Sequence, residues 1–331
     1  MKRCARCVLP ETFPGISFNA DGVCNFCAAH AGAGQEQAEK KIYREKFDAL
    51  LSDVRGKHEY DCTVSFSGGK DSTYTLYVLR EVFKLNVLAL TFDNGFISEQ
   101  AFKNIRTMTE KLGCDSVIFK ADFSLLKRVF THAVTSEMYS PKTLERASTI
   151  CTSCIGLAKF IFLKIALEKK VPLMAWGWTP GQAPIRSSIM KINAALFKST
   201  QEALRKPMVE AAGMGINRYF LKEEHFADPS IFPYNVSPLA FMEYDEHEIF
   251  KKIKTLGWVS PQEVDANSTN CLLNSFANRI HIDRYGFHPY AFEIAGLVRS
   301  GVMKREEGLK KLEESENTAT TQEVKKRLGV S

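Results

Sequence analysis

Between Tyr60 and Asn94 the chain reads YDCTVSFSGGKDSTYTLYVLREVFKLNVLALTFDN, and no other stretch narrows the fold as far. DCTVSF is a short apolar run, the pattern of a buried strand. SGGKDS follows without a spacer. STYTLYVLREVF then carries apolar residues at helical spacing, and KLNVLALTFD reads as a second buried strand. Strand, glycine-rich loop, helix and strand make a βαβ unit, so the two strands are expected to lie parallel in one sheet. The same order aims backbone N–H groups and a helix N-terminus at one point, which suits an anion. Gly68 and Gly69 let the backbone close in. Lys70 adds a charge, Ser67 and Ser72 add hydroxyls, and Asp71 is placed to cap the helix. Phe92, Asp93 and Asn94 end the second strand at the edge where such sheets bind ligands.

CDSVIF at 114–119 and VPLMAWGW at 171–178 continue the strand pattern, with helical patterns between them. The expected fold is α/β, a doubly wound parallel sheet. Gly177 and Trp178 end the last strand and should face the same cleft as the loop. WTPGQAPIRSS then offers Gln182, Arg186 and Ser187 to a phosphate or substrate, with Arg186 the leading candidate. Upstream, Ile42, Phe47, Leu50, Leu51 and Val54 mark an amphipathic helix. Downstream, EYDEHEIFKKIKTLGW and SGVMKREEGLKKLEE make residues 201–331 mostly helical. Four regions result: a cysteine knuckle at 1–30, a linking helix at 31–57, the nucleotide domain at 58–200, and a helical region at 201–331 that contributes Cys271.

SGGKDS lacks the spacing of the G-x-x-x-x-G-K-[ST] phosphate loop. It resembles instead the loop of the N-type ATP pyrophosphatases, the PP-loop superfamily of tRNA thiolases, lysidine synthetases, GMP synthetase and sugar amidotransferases. The resemblance covers about residues 58–200 and implies a HUP-like fold. It also implies cleavage of ATP between the α and β phosphates, giving AMP and pyrophosphate. An acceptor oxygen would be adenylated and a nucleophile would then displace AMP. ATP phosphates would lie on Ser67 to Ser72, with Lys70 and Asp71 catalytic and Mg²⁺ shared with Asp71 or Asp93. Adenine would contact the backbone around Leu90 to Phe92 and near Lys120.

The nine cysteines sharpen the reading. Cys4, Cys7, Cys24 and Cys27 are spaced C-x2-C-x16-C-x2-C, which lets two turns complete a tetrahedron around structural Zn²⁺. Cys62 and Cys114 sit in apolar runs and read as core residues. Cys151 and Cys154 form a CTSC pair at the start of an apolar helix, and Cys271 stands alone. A pair and a lone third cysteine make a poor structural zinc site but a suitable three-point anchor for a 4Fe–4S cluster. This order resembles the cluster-dependent tRNA thiolases: N-terminal knuckle, SGGKDS, CxxC, one later Cys. By that resemblance Lys159 stands near a catalytic lysine, although its spacing is offset. CARCVLPETFPGISFNADGVCNFC, EYDEHEIFKKIKTLGW and RYGFHPYAFEIAGLVRSGVMKREEGLKKLEE resemble instead the N-acetyl sugar amidotransferases of surface-polysaccharide synthesis. Those take ammonia from a glutaminase partner and lack the CTSC pair.

Three readings follow. The first is an adenylating sulfur transferase with a 4Fe–4S cluster, acting on tRNA, a nucleobase or another small acceptor and served by a sulfur donor. The second is an ammonia-using sugar amidotransferase. The third is a nucleotide-binding scaffold without turnover. A formal charge of +6 permits an RNA partner without demanding one. No basic module interleaved with aromatics stands out. MKRCARCVLPE lacks the apolar stretch of a signal peptide, and no run of eighteen apolar residues occurs, so a cytoplasmic protein with no membrane partner is expected. Dimers are common in the superfamily, which leaves a homodimer open. His281, Asp283 and His288 fit no metal-ligand spacing and read as core or surface residues.

Overall fold

One sheet of six strands organises the chain, in the order β3-β2-β1-β4-β6-β5. The strands are β1 (Cys62–Ser65), β2 (Val87–Asp93), β3 (Asp115–Lys120), β4 (Leu173–Ala175), β5 (Ile189–Lys191) and β6 (Tyr234–Val236). The computed structural model describes residues 1–30, 32–265, 267–313 and 317–330. Twelve α-helices accompany the strands among these residues: α1 (Asn25–Ala28), α2 (Ala33–Val54), α3 (Lys70–Tyr77), α4 (Glu99–Lys111), α5 (Phe123–Thr135), α6 (Thr149–Glu168), α7 (Ala194–Ala212), α8 (Glu246–Thr255), α9 (Leu273–Tyr285), α10 (Ala291–Arg299), α11 (Arg305–Glu313) and α12 (Thr318–Leu328).

The doubly wound plan is present. β1 pairs parallel with β2 and β4, and β2 with β3. Helices cover both faces. One face buries Leu88 and Leu90 against α5, α6, α7 and α9. The other buries Val64, Val87 and Ala89 against α2, α3, α4 and α8. Strands covered on both faces become continuous apolar runs, as VLAL does in β2.

Two expectations are corrected. The sheet is not wholly parallel, because β5 runs antiparallel to β6. It also does not end at residue 200, because β6 pairs with β4 from within the region read as helical. β6 is YNV, three residues between Pro233 and Ser237-Pro238. So short a strand has no periodicity to read.

α6 is twenty residues long and, by length and composition alone, apolar enough to cross a membrane. Here it is a core helix. Leu157, Phe160, Leu163 and Ala166 are buried, and it packs on α5, α7 and α9. Ser148 caps it, its Oγ accepting from Cys151 N at 3.1 Å. That cap holds the CTSC pair in the first turn.

The N-terminal knuckle does not stand alone. Phe13 and Phe26 pack with Phe287 and Phe292 from the C-terminal region. Arg305 donates to the carbonyl oxygens of Cys4 and Cys7 at 3.0 Å each. α10 is keyed onto the loop after β4. A Cβ on Gly296 would sit 2.9 Å from Gly181 Cα, and one on Gly181 would overlap the Glu293 carbonyl. Gly296→Ala is therefore expected to cost about 1–3 kcal/mol, as overpacking does. Urea denaturation checks it, and a change below about 0.5 kcal/mol would show that the helix can slide.

Candidate active site

The carboxyl ends of β1, β2 and β4 open into a cavity of about 340 Å³. The phosphate loop forms one wall. Gly68 has φ +75°, and a Cβ there would lie 2.5 Å from Ala101 O, so only glycine fits. Its carbonyl accepts from Trp258 Nε1 at 2.9 Å. Ser67 and Ser72 hydroxyls lie 3.1 Å apart at the mouth of α3. Asp71 does not cap that helix, whose N-cap Gly69 has no side-chain partner. Asp71 Oδ1 accepts instead from Tyr244 OH at 2.8 Å.

Lys70 is buried and its ammonium is already engaged. It donates to Glu246 Oε1 at 2.7 Å and Tyr244 OH at 2.8 Å, with Asp71 Oδ1 at 3.2 Å. Burial alone would pull the ammonium down, but Asp71 and Glu246 hold it above its ordinary value. Lys311, on α11, contacts the same Glu246 at 3.0 Å. The loop lysine is thus tied to the C-terminal region.

Residues 267–271 form a strap over the loop. Thr269 Oγ1 accepts from Lys70 N at 2.8 Å, so a hydroxyl occupies a first-turn donor of α3. Ser98 N donates to Asn270 O, and Leu272 N to Phe96 O, around an antiparallel bridge between Ile97 and Cys271. This bridge brings the lone cysteine to the CTSC pair. Asn94, fixed by Phe96 N on its Oδ1 at 2.8 Å, donates through Nδ2 to Cys154 Sγ at 3.2 Å and towards Cys271 Sγ at 3.8 Å. Asn274 Nδ2 lies 3.9 Å from Cys151 Sγ. All three cysteines line the cavity. Burial pushes the Cys151 thiol up to about 12 and raises Cys154 and Cys271 as well.

The N-terminal cysteines are arranged differently. Their four sulfurs all lie within 4.8 Å of one another, with Cys4–Cys27 and Cys7–Cys24 at 3.8 Å. A tetrahedral metal–thiolate bond of about 2.3 Å puts sulfurs about 3.8 Å apart, so the spacing suits a single ion. Backbone N–H groups of Arg6, Cys7 and Cys24 point at Cys4 Sγ at 3.2–3.4 Å. Cys151, Cys154 and Cys271 do not form so tight a group among the described residues.

Other candidates fall as follows. Gly69, Phe92 and Gly177 line the cavity. Asp93 is buried and accepts from Gly95 N at 2.8 Å. Arg186 is corrected: its side chain is 72% exposed, forks onto Glu39 of α2 at 2.6 Å, and does not reach the cavity. A nearby carboxylate on an exposed helix captured it, and spacing in the loop could not reveal that. Lys159 lies over Trp176 and Trp178, at 5.9 and 5.6 Å from the ring centres, beside the cavity those rings help line. His281 is buried against Tyr285 and Phe287, and burial holds it down to about 4. Asp283 pairs with Arg279, and His288 Nδ1 accepts from Tyr290 N. Thr269, Glu246 and Glu293 were not singled out in the sequence, because each acquires its place only from a distant segment; Asn94 was read at the ligand edge of β2, but not as a partner of the cysteines.

Residues 61–170 match the family model described as queuosine biosynthesis protein QueC, a PP-loop model. Residues 61–170 are thus similar to proteins of the PP-loop superfamily. An uncharacterized protein of Methanocaldococcus jannaschii is 26% identical over 274 residues, 83% of this chain and 80% of that one. Among solved structures, the U34-tRNA thiolase NcsA from Methanococcus maripaludis with its 4Fe-4S cluster is 16% identical at a TM-score of 0.38, over 99% of this chain and 89% of that one. NMN synthetase from Francisella tularensis is 12% identical at 0.38, over 88% and 97%. The matched segment carries the PP-loop, β2 and the CTSC pair, whereas Cys271 lies outside it.

Two outcomes test this geometry. Glu246→Ala would leave buried Lys70 with Asp71 as its one remaining counter-charge, at a cost on the order of 1–2 kcal/mol in a denaturant titration. Purified protein should hold one metal ion at the N-terminal cysteines, and Cys24→Ser should lose it with a drop in melting temperature. Metal analysis beside calorimetry reads both.

Proposed function

We propose that the chain is an ATP-dependent adenylating transferase that delivers sulfur to a small or locally exposed acceptor. Cys151, Cys154 and Cys271 would hold a 4Fe–4S cluster. The observation that carries this reading is the meeting of all three cysteines in the cavity walled by the PP-loop, with Asn94 spanning two of them. The donor set fits the group. Three thiolates anchor such a cluster and leave one iron without a protein ligand. Their looser spacing, against the tight N-terminal four, suits a multi-iron centre better than one ion. Zn²⁺ is the reading for the N-terminal site, which four thiolates close to further ligands. When bound, the cluster would hold a sulfur atom at its open iron beside the activated acceptor.

The chain's own groups account for the ATP side. Apart from that of Lys70, which Thr269 occupies, the backbone N–H groups at the start of α3 and the hydroxyls of Ser67 and Ser72 would face the pyrophosphate and stabilise its developing negative charge. Lys70 supports the loop through Glu246 and Asp71 more directly than it faces the cavity. Leu90 and Phe92 offer an apolar wall for adenine. A second hollow of about 680 Å³, bordered by Glu36, Glu243, Asp245 and Glu307, is acidic and would repel phosphates. At about 340 Å³ the main cavity is near the lower limit for a single ligand, so an acceptor beside the nucleotide would be small. An acceptor within tRNA would enter as a single exposed base.

Anaerobic purification should yield about four iron and four acid-labile sulfide per chain. Cys151→Ala and Cys271→Ala should each lose them while ATP affinity by calorimetry changes less than about threefold. Folded protein without iron or sulfide would sink the cluster and favour ammonia as nucleophile, the amidotransferase reading.

A further inference from the structure

Glu293 enters the same cavity from α10, far in sequence from the loop and the cysteines. Its placement is built. Thr179 Oγ1 donates to Glu293 Oε1 at 3.0 Å, and Thr179 N donates to Gln182 Oε1 at 3.0 Å. Arg146 Nη1 donates to Gln182 O at 2.9 Å and stacks on Phe292 at 4.6 Å. The Gly181–Gly296 contact fixes the helix against the loop after β4. Among the described residues Glu293 has no cation within ion-pair distance, and its side-chain donors are the neutral groups of Thr179 and Gln182. A carboxylate so placed is costly to fold, and such groups cluster at functional sites.

We propose that Glu293 is the proton acceptor of the adenylation step. It would take the N–H proton of an amide or lactam acceptor as the acceptor oxygen attacks the α-phosphorus. This rests on the adenylating reading above and adds to it the residue that makes a poor nucleophile competent. Amide oxygen attacks weakly until the neighbouring N–H begins to lose its proton. In the step the O–Pα bond forms, the Pα–O bond to pyrophosphate breaks, and pyrophosphate leaves with the bonding pair. The proton passes to Glu293, which keeps the adenylated acceptor uncharged. After pyrophosphate departs, the carboxyl releases its proton to water. With water as acceptor the same transfer gives AMP directly.

The electrostatic setting agrees. Burial first, then the Asp71 charge, push the Glu293 carboxyl up to about 7, and Thr179, Lys70 and Gln182 offset part of this. Tyr244, from the segment before α8, and Tyr290, on its own turn, also face it. A base of that strength is half ionised near neutral pH, where proton transfer is most effective.

The test measures AMP and pyrophosphate from ATP with water, uridine or N-acetylglucosamine as acceptor, across roughly pH 5.5–8.5. The wild-type rate is expected to rise about tenfold per pH unit and level above about 7. E293Q should lose that limb and fall about 100-fold at neutral pH, with ATP affinity kept within about twofold. Its melting temperature at alkaline pH should match or exceed wild type, because a buried ionised carboxylate becomes a neutral amide. E293Q that keeps the limb, or that loses ATP affinity as well, would overturn the proposal in favour of a structural role. Should E293Q fail to fold, Thr179→Val supplies the reading. Losing a donor to the ionised form should move the limb to higher pH, and an unmoved limb overturns the proposal. Wild-type protein that makes no AMP overturns both this and the adenylating reading, whereas AMP with an unchanged E293Q profile overturns this one alone.

Discussion

An antiparallel bridge between Ile97 and Cys271, flanked by Ser98 N to Asn270 O and Leu272 N to Phe96 O, ties the C-terminal region to the carboxyl edge of the sheet. These are backbone bonds, and two of their four partners lie in the turn that follows β2. They place Thr269 on the first N–H of α3 and Cys271 beside Asn94 within one short segment. The phosphate loop and the thiol group therefore share a wall. Movement of either would be felt by the other, because the strap has only a residue or two of slack between its anchor points.

The C-terminal region completes the site as well as covering it. α8 brings Glu246 to Lys70, α11 brings Lys311 to Glu246, and α10 brings Glu293 to the cavity. The same helices hold the N-terminal knuckle through Arg305 and the phenylalanine group. A knuckle of thirty residues has little core of its own. Here the four cysteines and α10, which lines the cavity through Glu293, form one packed unit. Closing four thiolates on an ion would stiffen the helix that carries Glu293.

Much of this was legible in the chain. β1, the loop, α3 and β2 were read from apolar runs, helical spacing and glycine placement, because local geometry there is decided by neighbours in sequence. The cysteine groups were legible as groups, because C-x-x-C is a local turn. β6 was not legible: three residues carry no period, and only β4 gives them a partner. Arg186 was misplaced because its pairing with Glu39 crosses from one helix to a distant loop. Asp71 was read as a cap, which its position allows, but Tyr244 from 173 residues away claimed its oxygen.

The sequence by itself determined the PP-loop, its flanking strands, the four-cysteine group and the presence of three further cysteines with no structural partner. Each rests on residue type and short-range spacing, which backbone sterics convert directly into local form. Only the tertiary structure decided that Cys271 lines one cavity with Cys151 and Cys154, that Lys70 is held by Glu246, and that a carboxylate from α10 faces that cavity. Those contacts join segments more than a hundred residues apart. Their partners are selected by packing on the two faces of the sheet and by the backbone bonds of the strap, neither of which leaves a local pattern in the chain.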